Sequence, residues 1–147
     1  MEFLLKDTND TILFGEKLGA LASIGMTFCM QGDLGAGKTT MTKGIAKALH
    51  IKKNITSPTF TILKIYYGDM PLYHFDAYRL EGLSQDLGFE EYIDADGLSV
   101  IEWSTYLSDL FEDYLMVDIK ITEDDSRMVT LTAKGDIYEK LIKEFIW

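Results

Sequence analysis

Gly32-Asp33-Leu34-Gly35-Ala36-Gly37-Lys38-Thr39 satisfies G-x-x-x-x-G-K-[ST] at each fixed position, and this octapeptide decides the fold. The run Met26–Gln31 leads into it and reads as a buried strand, while Thr39–Leu49 follows as a helix. Strand, glycine-rich loop and helix form the context that this phosphate-binding loop, the P-loop, requires. Glycines let successive amides turn inward around a phosphate, where side chains would block them. The helix starting near Lys38 aims its unsatisfied N–H groups and its dipole at the same anion. Lys38 adds a point charge for the β- and γ-phosphates, and the Thr39 hydroxyl suits Mg²⁺. Nucleotide contacts are therefore expected on Leu34, Gly35, Ala36, Gly37, Lys38, Thr39 and Thr40.

Working outward, Glu2–Leu5 reads as a short strand and Thr8–Ser23 as a helix opened by Asp7 or Thr8. Its inner face is expected at Ile12, Gly15, Leu18, Gly19 and Ala22, with Gly15 and Gly19 marking a close backbone approach. Thr59–Tyr67 and Leu72–Phe75 flank Gly68-Asp69-Met70-Pro71 and predict a hairpin. Leu98–Ile101 predicts a further strand. Leu115–Thr122 and Arg127–Ala133 predict another strand pair, around the acidic turn Glu123-Asp124-Asp125. A closing helix from about Asp136 carries apolar residues at Ile137, Leu141, Ile142 and Phe145. Crossover and hairpin connections together predict one α/β domain over residues 1–147: a P-loop NTPase-like mixed β-sheet flanked by helices, with a hairpin insertion.

A Mg²⁺ site also wants a carboxylate at the end of a neighbouring strand. Glu102 follows Leu98-Ser99-Val100-Ile101, and Asp76 follows Leu72-Tyr73-His74-Phe75; spacing does not rank the two. Ser57-Pro58-Thr59-Phe60-Thr61 lies where such proteins place a switch loop, and a proline-led strand entry explains it equally well. His74 reads as a structural or surface histidine. Tyr66, Tyr67, Tyr73, Tyr78 and the two tryptophans read as packing, except Trp103, which directly follows Glu102.

Three classes of nucleotide protein compete for this pattern. A GTPase should carry N-K-x-D for guanine, and the sequence has none, although Asp94-Ala95-Asp96-Gly97 and Thr132-Ala133-Lys134 imitate other guanine-protein motifs. A small-molecule kinase clamps donor and acceptor phosphates with several arginines, whereas this chain has only Arg79 and Arg127. A slow ATPase acting as a switch within a larger assembly fits best, with the small-molecule kinase as the alternative.

Bulk properties narrow the setting. Apolar residues at 47 % and charged residues at 26 % describe an ordinary globular chain. A net charge of −10 supplies no basic stripe for phosphate backbones, so any RNA in this protein's work is expected on another chain. Cys29, the one cysteine, lies in an apolar run and is expected in the core. No apolar run approaches the ~18 residues of a membrane span. Met1–Asp7 lacks the basic region and cleavage site of a signal peptide, so a cytoplasmic location is expected.

With these residues read, the chain resembles the bacterial TsaE/YjeE family, the ATPase component of tRNA threonylcarbamoyladenosine biosynthesis. The matching elements come in the family's order: GDLGAGKTT at Gly32–Thr40, SPTFT at Ser57–Thr61, YHFDAYRL at Tyr73–Leu80 and IEW at Ile101–Trp103. The resemblance implies that Glu102 and Thr39 form the Mg²⁺ pair and that Asp76 sits in the second switch, positioning the attacking water. It implies further that Thr59 is the first-switch threonine, that Arg127 contacts the nucleotide and that Thr11 borders the adenine. Arg79 has no evident part in hydrolysis and is expected to serve structure or partner contact, and residues 82–96 read as variable, with no family role assigned. The implied partners are the two paralogous threonylcarbamoyl transferase subunits, which ATP hydrolysis would reset between turnovers; tRNA would be met only through them.

Base choice follows from the missing tetrad: no carboxylate is positioned for the guanine N1 and N2 protons. In competition against a fluorescent adenine nucleotide, ATP and ADP should displace the probe at lower concentration than GTP and GDP. Tight selective GTP binding would contradict the adenine assignment.

Overall fold

The computed structural model describes residues 1–58, 63–76, 96–102 and 112–147. Within them one seven-stranded sheet runs in the order β1-β7-β6-β2-β5-β4-β3. The strands are β1 (Glu2–Leu5), β2 (Thr27–Gln31), β3 (Leu63–Tyr66), β4 (Leu72–Asp76), β5 (Leu98–Glu102), β6 (Tyr114–Ile121) and β7 (Arg127–Lys134). The helices are α1 (Thr8–Ala20), α2 (Lys38–Ala48) and α3 (Asp136–Glu144).

The centre of the sheet is parallel: β6 with β2, β2 with β5, and β5 with β4. Antiparallel partners close both edges, β7 and β1 on one side and β3 on the other. The expected mixed sheet is thus present, and the β3–β4 hairpin forms its far edge. Burial follows position. β4 and β5 are buried at every residue, as parallel strands covered on both faces must be. β6 alternates between half-buried and buried along most of its length, the period-two mark of a strand with one wetter face.

Helix α1 starts at an aspartate cap: Asp7 accepts the Asp10 N–H at 2.9 Å, and Asp10 reaches back to accept the N–H of Lys6, the residue before the cap, at 2.9 Å. It ends at Ala20, three residues before the expected Ser23. Its buried residues are Thr11, Phe14, Gly15, Leu18 and Gly19, so Phe14 joins the expected inner face, while Ile12 is only half-buried and Ala22, beyond the helix end, packs half-buried against the core. Phe14 gathers Phe3, Phe145 and Trp147 at ring-centroid distances of 5.4, 4.7 and 5.4 Å, tying both chain ends to this helix. In α3 the inward residues are Leu141, as expected, and Tyr138, whose hydroxyl accepts the Thr27 N–H at 2.7 Å, while Ile137 is exposed. A polar tip with a partner places a tyrosine inside where apolar counting alone would seat the isoleucine. Cys29 is buried in β2, as expected.

The two glycine-bearing helix faces pack backbone to backbone. A Cβ on Gly15 would stand 2.1 Å from the Met41 carbonyl oxygen, and one on Gly44 would stand 2.0 Å from that of Ile12. Alanine at Gly44 gains up to about 1 kcal/mol of helix propensity. Against that stands a clash with backbone on a facing helix, of the kind that costs about 1–3 kcal/mol and has no flexible group to yield. The clash should win. Gly44→Ala is expected to lower the unfolding free energy measured by denaturant titration by a net ~1–2 kcal/mol, whereas Lys140→Ala on exposed α3 should change it by under ~0.5 kcal/mol. A Gly44→Ala protein as stable as the parent would contradict this packing.

Candidate nucleotide site

Parallel register brings the chemistry to one edge of the sheet. Met30 of β2 pairs with Glu102 of β5, and Glu102 pairs with Asp76 of β4. The strands carrying Asp76 and Glu102 therefore stop level with the one that feeds the glycine loop. This is the carboxyl edge of the parallel strands, where open α/β sheets place ligands.

The loop has the backbone its sequence demanded. Gly35 and Gly37 adopt φ of 82° and 114°, conformations that side chains rarely tolerate. Gly37 caps α2 with no side-chain hydrogen bond, and no acidic residue stands in the first turn. The first N–H groups of α2 are left facing the cleft, with no carboxylate competing for them.

Lys38 is almost wholly buried, and its ammonium donates to the loop carbonyls of Gly32 at 2.5 Å and Asp33 at 3.2 Å. Burial pushes its pKa below the ordinary lysine value, and Glu102, Asp33 and Asp76, in that order, pull it back up. Thr39 Oγ1 donates to Glu102 Oε1 at 3.3 Å, the first direct link between the loop and the strand acids. Asp76 and Glu102 are both nearly buried, at 3 % and 5 % exposure. A hydroxyl and a carboxylate converging at this distance are hard oxygen donors of the kind Mg²⁺ takes, and so the residues fit that ion. Among the described residues no cluster of three or more His, Cys, Asp or Glu forms a closed metal cage. Mg²⁺ in nucleotide sites is commonly held by one or two protein groups together with the phosphates, so the open pair is sufficient.

Two clefts share the loop. One, of about 230 Å³, is lined by Leu34, Gly35, Gly37, Lys38, Thr39, Thr40, Ser57, Asp76 and Glu102. The other, of about 350 Å³, runs from Gly35–Gly37 and Thr40 over Thr11 and Arg127 to Asp7 and Asp125. The acids thus lie on one side of the loop and Thr11 with Arg127 on the other. The loop's sequence-assigned residues, Thr11, Arg127, Asp76 and Glu102 are all brought together here. Thr59, Arg79 and Trp103 lie outside the described residues.

Arg127 does something the sequence did not disclose. Its Nε donates to the Ala36 carbonyl at 2.9 Å, its Nη2 to that of Gly35 at 3.4 Å, and its Nη1 to that of Asp125 at 2.7 Å. The guanidinium thereby fastens the glycine loop to the β6–β7 turn while lining the cleft. Of the two readings given for His74, the structural one holds and the surface one falls: it is fully buried, with Nε2 2.9 Å from Glu102 Oε2, a contact the sequence did not disclose. The available signal was its place in an otherwise buried strand two residues before Asp76.

Comparison with known proteins finds relatives in sequence and in fold. The family model for the threonylcarbamoyl adenosine biosynthesis protein TsaE matches residues 5–129. The chain is 44 % identical over 137 residues to the tRNA threonylcarbamoyladenosine biosynthesis protein TsaE of Bacillus subtilis, covering 92 % of this chain and 87 % of the relative. It is 37 % identical over 134 residues to the protein of that name from Treponema pallidum, covering 89 % and 99 %. A crystal structure of Bacillus subtilis YdiB superimposes with a TM-score of 0.86 at 35 % identity, over 99 % of this chain and 93 % of that one.

The two acids should separate by experiment. Glu102→Ala is expected to weaken Mg²⁺-dependent nucleotide affinity together with turnover, whereas Asp76→Ala should keep most Mg²⁺·ATP affinity and lose turnover. Calorimetric titration of nucleotide at stepped Mg²⁺ concentrations reads the difference. The opposite pattern would exchange their roles.

Proposed function

The chain belongs to the TsaE family, and from that premise we propose that it is a slow Mg²⁺-dependent ATPase serving tRNA threonylcarbamoyladenosine biosynthesis. The observation that carries the ATPase reading is the meeting of Lys38, Thr39, Asp76 and Glu102 in one cleft at the mouth of an uncapped α2.

In this reading the triphosphate lies along the loop, its oxygens taking the amides of residues 35–40 and the Lys38 ammonium. The base and ribose extend past Thr11 and Arg127 into the second cleft. Thr39 and Glu102 would hold Mg²⁺, which when bound would supply positive charge to offset the phosphate oxygens. Asp76 accepts a hydrogen bond from the attacking water and directs its lone pair at the γ-phosphorus. The new P–O bond forms as the bond to the β,γ-bridging oxygen breaks, leaving ADP and inorganic phosphate. Thr59 would report the γ-phosphate from the switch segment.

A kinase needs arginines free to clamp two phosphates. Of the two in this chain, Arg127 is spent largely on loop and turn carbonyls, which favours hydrolysis over transfer to an acceptor. The acidic surface leaves tRNA to the proposed partners, two paralogous threonylcarbamoyl transferase subunits in the cytoplasm. There the nucleotide state would set which form of the assembly prevails.

The test is ATP turnover measured with the two subunits, with candidate small-molecule acceptors, and with neither. Slow turnover alone and acceleration by the subunits are expected, and Lys38→Ala should reduce it at least ~10²-fold, the loss of one preorganised charge contact. Phosphate recovered on an acceptor, with no response to the subunits, would replace this function with that of a small-molecule kinase.

A further inference from the structure

We propose that His74 is a positioning residue for Glu102: its ring holds one carboxylate oxygen so that the other faces Thr39 and the loop. The inference rests on the Mg²⁺·ATP reading of the same cleft and adds to it a residue with no contact to nucleotide.

His74 and Glu102 stand on neighbouring parallel strands, with His74 opposite Val100 and Asp76 opposite Glu102. The histidine side chain is fully buried and the glutamate 6 % exposed, and His74 Nε2 lies 2.9 Å from Glu102 Oε2. The other oxygen, Oε1, accepts from Thr39 Oγ1. The carboxylate is therefore divided, one oxygen to the strand beneath it and one to the loop. Among the described residues, neither ring nitrogen of His74 is in hydrogen-bond alignment with a partner. A buried imidazole at bonding distance from a nearly buried carboxylate, and aligned with no other group, has one evident counterpart. A neutral imidazole has one N–H, and contact with a carboxylate selects the tautomer that carries it on Nε2.

Such support matters because a glutamate has three side-chain torsions to fix before it can serve as a ligand. Groups that hold a ligating carboxylate from behind commonly change metal affinity 10–100-fold when removed. Packing is the competing explanation: Leu72, Phe75, Val100 and Ile101 are all buried on the same two strands, and an apolar residue would fill position 74 equally well. The two accounts differ in what they require at the Nε2 position. Glutamine can place an amide N–H near Nε2, whereas asparagine is too short to reach it and leucine has none to offer.

The experiment titrates Mn²⁺ into each ADP-bound protein, reading free ion by electron paramagnetic resonance, and separately measures ADP affinity without metal. His74→Leu and His74→Asn should weaken Mn²⁺ binding about 10–100-fold, while His74→Gln stays within about 3-fold of the parent. Metal-free ADP affinity should hold in all three. Should the leucine variant fail to fold, the Gln–Asn contrast decides. Equal Mn²⁺ affinity in Gln and Asn variants, whether retained or lost, overturns the positioning role. Glu102→Ala is the reference: if it loses Mn²⁺ and the His74 variants do not, His74 is packing and the metal reading stands. If Glu102→Ala itself keeps full Mn²⁺ affinity, the metal reading of the cleft falls, and His74 with it.

Discussion

Parallel hydrogen bonding between β2, β5 and β4 fixes where each strand ends, and every polar feature of the cleft depends on those ends coinciding. Met30, Glu102 and Asp76 are held level by ladder bonds. A one-residue slip in β5 would turn Glu102 to the opposite face of the sheet and separate it from Thr39. The buried character of these strands guards against that slip, since every β4 and β5 residue is enclosed. Above the sheet, α2 is held by contact of its backbone with α1 through Gly15 and Gly44. The loop is thereby anchored at the β2 end by the sheet, at the α2 end by helix packing, and in the middle by Arg127. Such bracing is what a preorganised anion site requires, because the amides must stand in place before the ligand arrives.

Charge balance gives the site its character. Two nearly buried carboxylates and Asp33 face a single ammonium. Unit charges 4 Å apart interact with about 4 kcal/mol at an effective dielectric near 20, so one lysine does not shield a triphosphate from two acids. A second cation answers this imbalance, which is the physical ground for placing Mg²⁺ between Thr39 and Glu102 in the proposed function. It also explains why Lys38 is kept on backbone carbonyls: these hold the charge within the loop without neutralising it.

The loop, its flanking elements and the mixed sheet were legible because strong local signals set them. Glycine spacing, an apolar run and a helical run agree on one answer over residues 26–49. The start of α3 was legible too, from Asp136 in the first turn. What escaped required knowledge of the third dimension. Tyr138 displaced Ile137 from the interior because its hydroxyl found the Thr27 amide, a partner 111 residues away. The ends of β4 and β5 were readable as acids after apolar strands, but their adjacency belongs to sheet order, which no window of sequence contains. Arg127 and His74 follow the same rule, since both act through groups distant in the chain. Position 74 shows in the sequence only as a polar residue within an apolar strand, two before Asp76; its contact with Glu102 depends on the pairing of β4 with β5.

In the proposed function one nucleotide spans both clefts, with phosphates and metal on the acid side of the loop and the base on the Arg127 side. Crystallising the chain with Mg²⁺ and a non-hydrolysable ATP analogue tests it most directly. The account predicts phosphates along residues 35–40, Lys38 turned from the Gly32 carbonyl toward the β- and γ-phosphates, and the metal between Thr39 and Glu102. Adenine should lie beside Thr11. A nucleotide bound with its base in the acid-lined cleft, or with its metal away from Glu102, would contradict it.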